Sequence, residues 1–193
     1  MPELYEKMLR DIGHCDDYAN RTIVLGEGNA DSPTLVFVGE APGATEEMQG
    51  RPFVGTAGRN LDEMLEALGC ARSDIFITNL VKVRPVKRNQ TTGRLSNRPP
   101  TRDEVAFFVP YLLEELALIR PKCVVTLGNF ALTALVGSKD ATIGRMHGKL
   151  IRAGFDLFPL YHPAAAIYNR KLREVMQEDI LKLRNVLEEI YEA

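Results

Sequence analysis

The chain has 193 residues, of which 45% are hydrophobic, and a formal net charge of -2. This length and composition fit a single domain over residues 1–193 with a sizeable core, and they exclude a disordered chain. The apolar runs are short and interrupted by Gly or Pro, and the first residues lack the apolar stretch of a secretory signal. We therefore expect a cytoplasmic protein that does not bind a membrane.

The three cysteines, Cys15, Cys70 and Cys123, are far apart and form no CxxC pair. Their number and spacing indicate neither a disulfide framework nor a standard zinc site. We expect reduced thiols.

The first half of the chain contains two predicted strands and one predicted helix. Apolar, β-branched runs at 34–39 (TLVFVG) and 74–79 (DIFITN) predict the strands. Between them, an apolar stripe from Thr56 predicts a helix that stops at Gly69, since glycine is a common C-terminal cap.

The second half continues the alternation of helices and strands. Thr101 and Glu104 predict a capping box at the start of a long helix, which Pro110 should kink or split. The remaining predicted elements are a strand at 122–128, a short helix over NFALTALVG, a strand at 156–163 and an amphipathic helix from about residue 170.

Strands that alternate with helices indicate a parallel sheet, because parallel strands need crossover connections that pack on its faces. The expected fold class is therefore α/β, a three-layer α/β/α sandwich with a central, mainly parallel four-stranded sheet. In such sheets the ligand site lies beyond the carboxyl ends of the strands.

Polar residues follow three of the predicted strands. Glu40 lies in a glycine-rich segment after the first strand, Asn79 ends the second and His162 ends the last. Each alone is more often structural, and no GxxxxGK[ST] or GxGxxG motif supports nucleotide binding. Together with the aromatic Phe53 they fit a pocket for a flat polar ring attached to a polyanion.

A segment without acidic residues follows the second strand. Seven cations lie between residues 82 and 102, which leaves the rest of the chain with 17 basic and 26 acidic residues. A solvated surface loop is one interpretation, and a phosphate-binding segment is the other. The candidate DNA-binding residues are Lys82, Arg84, Lys87, Arg88, Arg94 and Arg98.

Five motifs carry a resemblance to a known family. They are GEAPGATEEMQGRPFVGTAG, ITNLVKVRP, NRPPTRDE, PKCVVTLGNFA and YHPAA. In this order and spacing they resemble the uracil-DNA glycosylase superfamily, particularly its family 4 branch, from about Arg21 to the C-terminus.

The resemblance implies hydrolysis of the N-glycosidic bond of deoxyuridine flipped out of DNA, without a redox or nucleotide cofactor. It implies that Phe53 stacks on uracil, that Asn79 reads its edge, and that Asn79, Glu40 and His162 act in catalysis. Whether Glu40 is a base or an electrostatic stabiliser stays open. The set of candidate substrate-binding residues is completed by Gly39, Ala41, Gly43 and Pro163, and segment 44–48, expected to be a loop, is a candidate for excluding a methyl group on C5.

Two departures from the family pattern affect these expectations. Family 4 proteins generally carry four cysteines for a [4Fe-4S] cluster, but here only Cys15 matches, and the other positions fall on Ile12, Val83 and Phe108. We therefore expect no cluster and no metal. The second departure is an inserted basic loop at about 86–96. In a related branch, a histidine of such a loop links covalently to DNA, but Asn97 stands at the matching place, so we expect ordinary turnover.

Two alternatives to a uracil-specific enzyme stay open. The chain could act on another deaminated base, such as hypoxanthine or xanthine, or it could bind DNA without catalysis. DNA containing uracil is the expected partner, and the sequence identifies no protein partner.

Overall fold

The computed structural model describes the chain except residues 15–17, 19, 20, 153, 170 and 193, and the side chains of residues 167, 168 and 190–192. The strands are β1 (Glu27–Gly28), β2 (Leu35–Gly39), β3 (Phe76–Asn79), β4 (Val86–Arg88), β5 (Leu95–Asn97), β6 (Cys123–Leu127), β7 (Ile151–Arg152) and β8 (Asp156–Leu160). The helices are α1 (Pro2–Gly13), α2 (Ala44–Gln49), α3 (Thr56–Leu68), α4 (Arg102–Ile119), α5 (Asn129–Val136), α6 (Ile143–Met146), α7 (Ala165–Tyr168) and α8 (Lys171–Glu192).

The central sheet has the strand order β1-β3-β2-β6-β8-β7. Its four inner strands are parallel and are the four predicted from the sequence. The expected count of four is nevertheless wrong, because β1 and β7 add antiparallel edges. Each edge strand has two residues, which is too short for an alternating pattern to reveal.

Both faces of the sheet are covered by helices. Along β2, Val36 and Val38 belong to a core shared with α1, α4 and α5, whereas Leu35 and Phe37 belong to a second core shared with α3 and α8. Successive side chains of a strand point to opposite faces, so an unbroken apolar strand supplies both cores. The three-layer α/β/α arrangement is confirmed.

The long helices begin and end largely where the sequence indicated. Gly69 caps α3 in the left-handed conformation with φ of 72°, and Thr101 and Glu104 form the predicted capping box of α4. Pro110 does not split α4. Pro110 and Ala106 are both exposed, so water can bind the carbonyl that the missing N–H leaves free. Helices α1, α2, α6 and α7 were not predicted.

Cys70 and Cys123 are free thiols, and burial raises the pKa of Cys123 to about 12. Cys15 lies outside the described residues. Within the described part of the chain, no helix is long and apolar enough to cross a membrane.

Candidate active site

A cavity of about 300 Å³ lies at the carboxyl ends of the parallel strands. Parallel strands β2 and β3 are neighbours and end level with each other, with Gly39 opposite Asn79. The cavity brings together Glu40, Phe53, Asn79 and His162 from four separate segments.

Asn79 lines this cavity and has an unsatisfied acceptor. The side chain is 2% exposed, and its Oδ1 has no hydrogen-bond partner among the described residues. A buried polar atom without a partner costs about 1–3 kcal/mol, so the site can recover this free energy by receiving a donor from a ligand.

Gly39 lies beneath the side chains of Asn79 and Phe53 rather than lining the cavity. A Cβ at Gly39 would lie 2.4 Å from Asn79 Oδ1 and 2.5 Å from Phe53 Cζ. The absence of a side chain at Gly39 is therefore what lets the amide and the aromatic ring approach each other.

Phe53 has a left-handed backbone with φ of 52°, which is uncommon for a bulky residue. Arg72 Nη2 donates to the Phe53 carbonyl at 2.6 Å, and Gly58 leaves room for that carbonyl because a Cβ there would lie 1.8 Å from it. The Phe53 ring is stacked at 5.9 Å, between centroids, from the ring of His162. Arg72 and Gly58, which the sequence did not single out, therefore fix the position of the ring.

His162 is held as a neutral imidazole with a defined tautomer. Burial lowers its pKa to about 4, although the nearby Glu46 carboxylate opposes the shift. The Ala164 N–H donates to His162 Nδ1 at 3.2 Å, so Nδ1 is an acceptor. In the neutral ring the proton then belongs to Nε2, which makes Nε2 a hydrogen-bond donor.

Glu40 is half-buried, and this burial raises the pKa of its carboxyl group. Its backbone carbonyl accepts a hydrogen bond from Val81 N at 3.0 Å, and the Gly39 carbonyl accepts one from Leu80 N at 2.9 Å. These two bonds join the segment that carries Glu40 to the turn that follows Asn79.

Several residues expected at the site lie elsewhere, and others were missed. Ala41 and Gly43 line the cavity, but Gly39 and Pro163 do not. Segment 44–48 is part of helix α2 rather than a loop, and Ala44 and Thr45 line the cavity from it. Glu46, from the same segment, also lines the cavity, and the missed lining residues include Asn97 and Ala164. Glu46 is 9% exposed and accepts a hydrogen bond from Gly55 N at 2.8 Å.

The basic segment divides into paired and exposed cations. Lys82 is 1% exposed and forms an ion pair with Glu115, so the expectation that it contacts DNA is wrong. Arg84 is paired with Glu47, and Arg98 with Glu104. The exposed cations of the hairpin formed by β4 and β5 are Lys87, Arg88 and Arg94.

A pocket at the carboxyl ends of the parallel strands beside a basic hairpin fits a ligand that joins a flat polar ring to a polyanion. The family model described as "Uracil DNA glycosylase superfamily" matches residues 25–184. The chain belongs to this superfamily.

Individual relatives agree with the family match. The chain is 40% identical over 176 residues to a type-4 uracil-DNA glycosylase of Saccharolobus solfataricus. The aligned region covers 86% of this chain and 77% of the relative. It is 37% identical over 190 residues to a type-4 uracil-DNA glycosylase of Thermotoga maritima, and the aligned region covers 96% of this chain and 94% of that relative. A type-5 uracil-DNA glycosylase of Pyrobaculum aerophilum is 34% identical over 147 residues, 67% of this chain and 61% of the relative.

The positions that match the cluster cysteines of family 4 do not fit an iron-sulfur cluster. Ile12, Val83 and Phe108 are at most 2% exposed and belong to one apolar core. None of these side chains has an atom that can coordinate iron, whereas such clusters are held by thiolates. Cys15, the fourth position, lies outside the described residues.

We expect the purified protein to contain no iron-sulfur cluster, because three of the four ligand positions are hydrocarbon side chains. Freshly prepared protein should show no visible absorption band and less than about 0.1 iron per chain. A brown preparation with about four irons per chain would contradict this expectation. A cysteine-ligated relative, purified in parallel, provides the positive control.

Proposed function

We propose that the protein is a monofunctional uracil-DNA glycosylase, which hydrolyses the N-glycosidic bond of deoxyuridine in DNA and leaves an abasic site for base excision repair. The observation that carries the proposal is the buried, unpartnered Oδ1 of Asn79 in a cavity that also holds Glu40, Phe53 and His162. The names of the relatives, at 37–40% identity over most of the chain, agree with it.

Uracil recognition rests on the amide of Asn79. Its Oδ1 accepts from uracil N3–H and its Nδ2 donates to O4, while Phe53 stacks on the ring. Cytosine reverses both hydrogen-bonding groups, so it would leave buried groups unpaired at a cost of about 1–3 kcal/mol each. The base must leave the helical stack to reach the cavity, and we therefore include base flipping in the proposal.

Bond cleavage takes the electron pair of the C1′–N1 bond to uracil and leaves a cation-like sugar. The neutral His162 donates from Nε2 to uracil O2, where negative charge develops, and a preorganised donor of this kind contributes most in the transition state. Water then bonds to C1′ and transfers a proton to the Glu40 carboxylate. The raised pKa of Glu40 supports this role, because a less solvated carboxylate is a stronger base.

The exposed cations of the β4–β5 hairpin are proposed to hold DNA phosphates beside the cavity. Asn97 and Arg98, at the base of the hairpin, line the cavity, so the hairpin lies beside the entrance. We also propose that residues 1–193 form one domain, because both cores share one sheet. A cytoplasmic location stays a prediction from the sequence.

Base release tests the proposal directly. Incubation with an oligonucleotide that contains one uracil, followed by alkali, should yield strand scission. Asn79→Ala and His162→Ala should each slow base release by about 10²–10³-fold, the usual effect of removing one transition-state donor. Binding to undamaged duplex should not change.

His14→Ala, which removes an exposed histidine outside the cavity, serves as the matched control and should behave like the unmodified protein. No scission by the unmodified protein, beside an active reference enzyme, would refute the proposed activity. Equal losses of base release and duplex binding in the variants would refute the assignment of the site residues.

The hairpin should determine the salt dependence of DNA binding. Replacing Arg88 and Arg94 by Ala is expected to weaken binding to all sequences alike. It should also reduce the slope of log K against log [salt] by about 0.9 for each phosphate that the protein no longer neutralises. Titrations by fluorescence anisotropy at several salt concentrations measure this slope.

Arg152→Ala is the control for the hairpin, because Arg152 is 83% exposed and lies on edge strand β7, beside the end of β8 remote from the cavity. Its slope should equal that of the unmodified protein. A slope that does not change in the hairpin variant would show that Arg88 and Arg94 do not bind phosphates.

A further inference from the structure

A buried polar network lies directly beneath the candidate active site. Lys82 and Glu115 are 1% and 0% exposed, and Lys82 Nζ lies 2.8 Å from Glu115 Oε2. Lys82 Nζ also donates to Thr78 Oγ1, which in turn donates to Glu115 Oε2 at 3.1 Å. Tyr5 OH donates to Glu115 Oε1 at 2.6 Å. The network thereby links α1, β3, α4 and the turn after β3.

The network closes the turn that presents Asn79. Thr78 directly precedes Asn79, and Lys82 follows it three residues later, so the bond between their side chains spans the turn. Within the turn, Leu80 N and Val81 N donate to the carbonyls of Gly39 and Glu40. The Lys82 carbonyl accepts from Val24 N at 2.8 Å. A shift of the turn would therefore move the Asn79 amide and the Glu40 backbone together.

Stability alone is a poor explanation for this network. Removing two charges from water costs several kcal/mol per ion, and well-packed apolar residues of similar volume are often at least as stabilising as a buried ion pair. A buried ion pair can instead fix one geometry, because its partners satisfy each other only at defined distances and angles.

We propose that Lys82 is a positioning residue, which fixes the turn 78–82 through Thr78 and Glu115 and so holds the Asn79 amide in register with Gly39 and Glu40. The inference rests on the proposed uracil-DNA glycosylase activity. Lys82 does not touch the substrate, and it acts on base release only through the turn.

The test separates positioning from folding by replacing the whole ion pair. Lys82→Met alone leaves Glu115 as an uncompensated buried charge and should destabilise the fold. Lys82→Met combined with Glu115→Leu removes both charges, and its thermal unfolding midpoint should return towards that of the unmodified protein. Single-turnover release of uracil at saturating enzyme should nevertheless be at least ten-fold slower in this double variant, with an unchanged Kd for undamaged duplex.

The matched control is Lys7→Met combined with Glu114→Leu. This pair joins α1 to α4 one residue from Glu115, but its side chains are about half exposed. We expect its base release to match that of the unmodified protein. If the Lys82/Glu115 variant does not fold, Thr78→Val removes only the hydroxyl that joins Lys82 to β3, and it should also slow base release without changing the Kd for undamaged duplex.

A double-mutant cycle with Asn79→Ala shows whether Lys82 acts through Asn79. If it does, the loss caused by the Lys82/Glu115 replacement should largely disappear once the amide is absent. The inference would be overturned if the rate losses of the Lys82/Glu115 replacement and of Asn79→Ala multiply, as they do at independent sites. It would also be overturned if the Lys82/Glu115 variant folds and releases uracil at an unchanged rate. No base release by the unmodified protein would instead refute the proposed function.

Discussion

Two backbone hydrogen bonds, from Leu80 N to Gly39 O and from Val81 N to Glu40 O, join the two halves of the candidate active site. They lie just beyond the last paired residues of β2 and β3, Gly39 and Asn79. The backbone segments that carry the Glu40 carboxylate and the Asn79 amide are thereby held together by main-chain hydrogen bonds. A catalytic arrangement supported in this way needs little reorganisation when the substrate binds.

Burial controls the chemistry that this frame can perform. It raises the pKa of Glu40 and lowers that of His162 to about 4, so at neutral pH the imidazole carries no charge. The backbone N–H of Ala164 then selects the tautomer with the proton on Nε2. The same exclusion of water leaves Asn79 Oδ1 without a partner, so a ligand that supplies a donor there is favoured over one that does not.

The sequence predicted the inner strands and the main helices because their apolar periodicity is long enough to read. It also indicated Glu40, Asn79 and His162, since each follows or ends a predicted strand.

Burial of individual charges was not predictable: Lys82 belongs to a run of cations, and only the fold brings Glu115 beside it. The edge strands are too short to leave a pattern, and the support of Phe53 by Arg72 depends on contacts between segments distant along the chain. At the positions that match the cluster cysteines of family 4, Phe108 and its apolar neighbours form ordinary core, which is consistent with packing in place of metal ligation.

The central claim is that the Asn79 amide selects uracil by its hydrogen-bonding edge, and a substrate panel tests it most directly. Single-turnover rates should be measured on one oligonucleotide sequence carrying uracil, cytosine, thymine or hypoxanthine at the same position. Uracil should be released, and cytosine should be slower by about 30-fold or more, the equivalent of two missing hydrogen bonds at about 1 kcal/mol each. Release of cytosine at a comparable rate, or of hypoxanthine with uracil left intact, would contradict the claim.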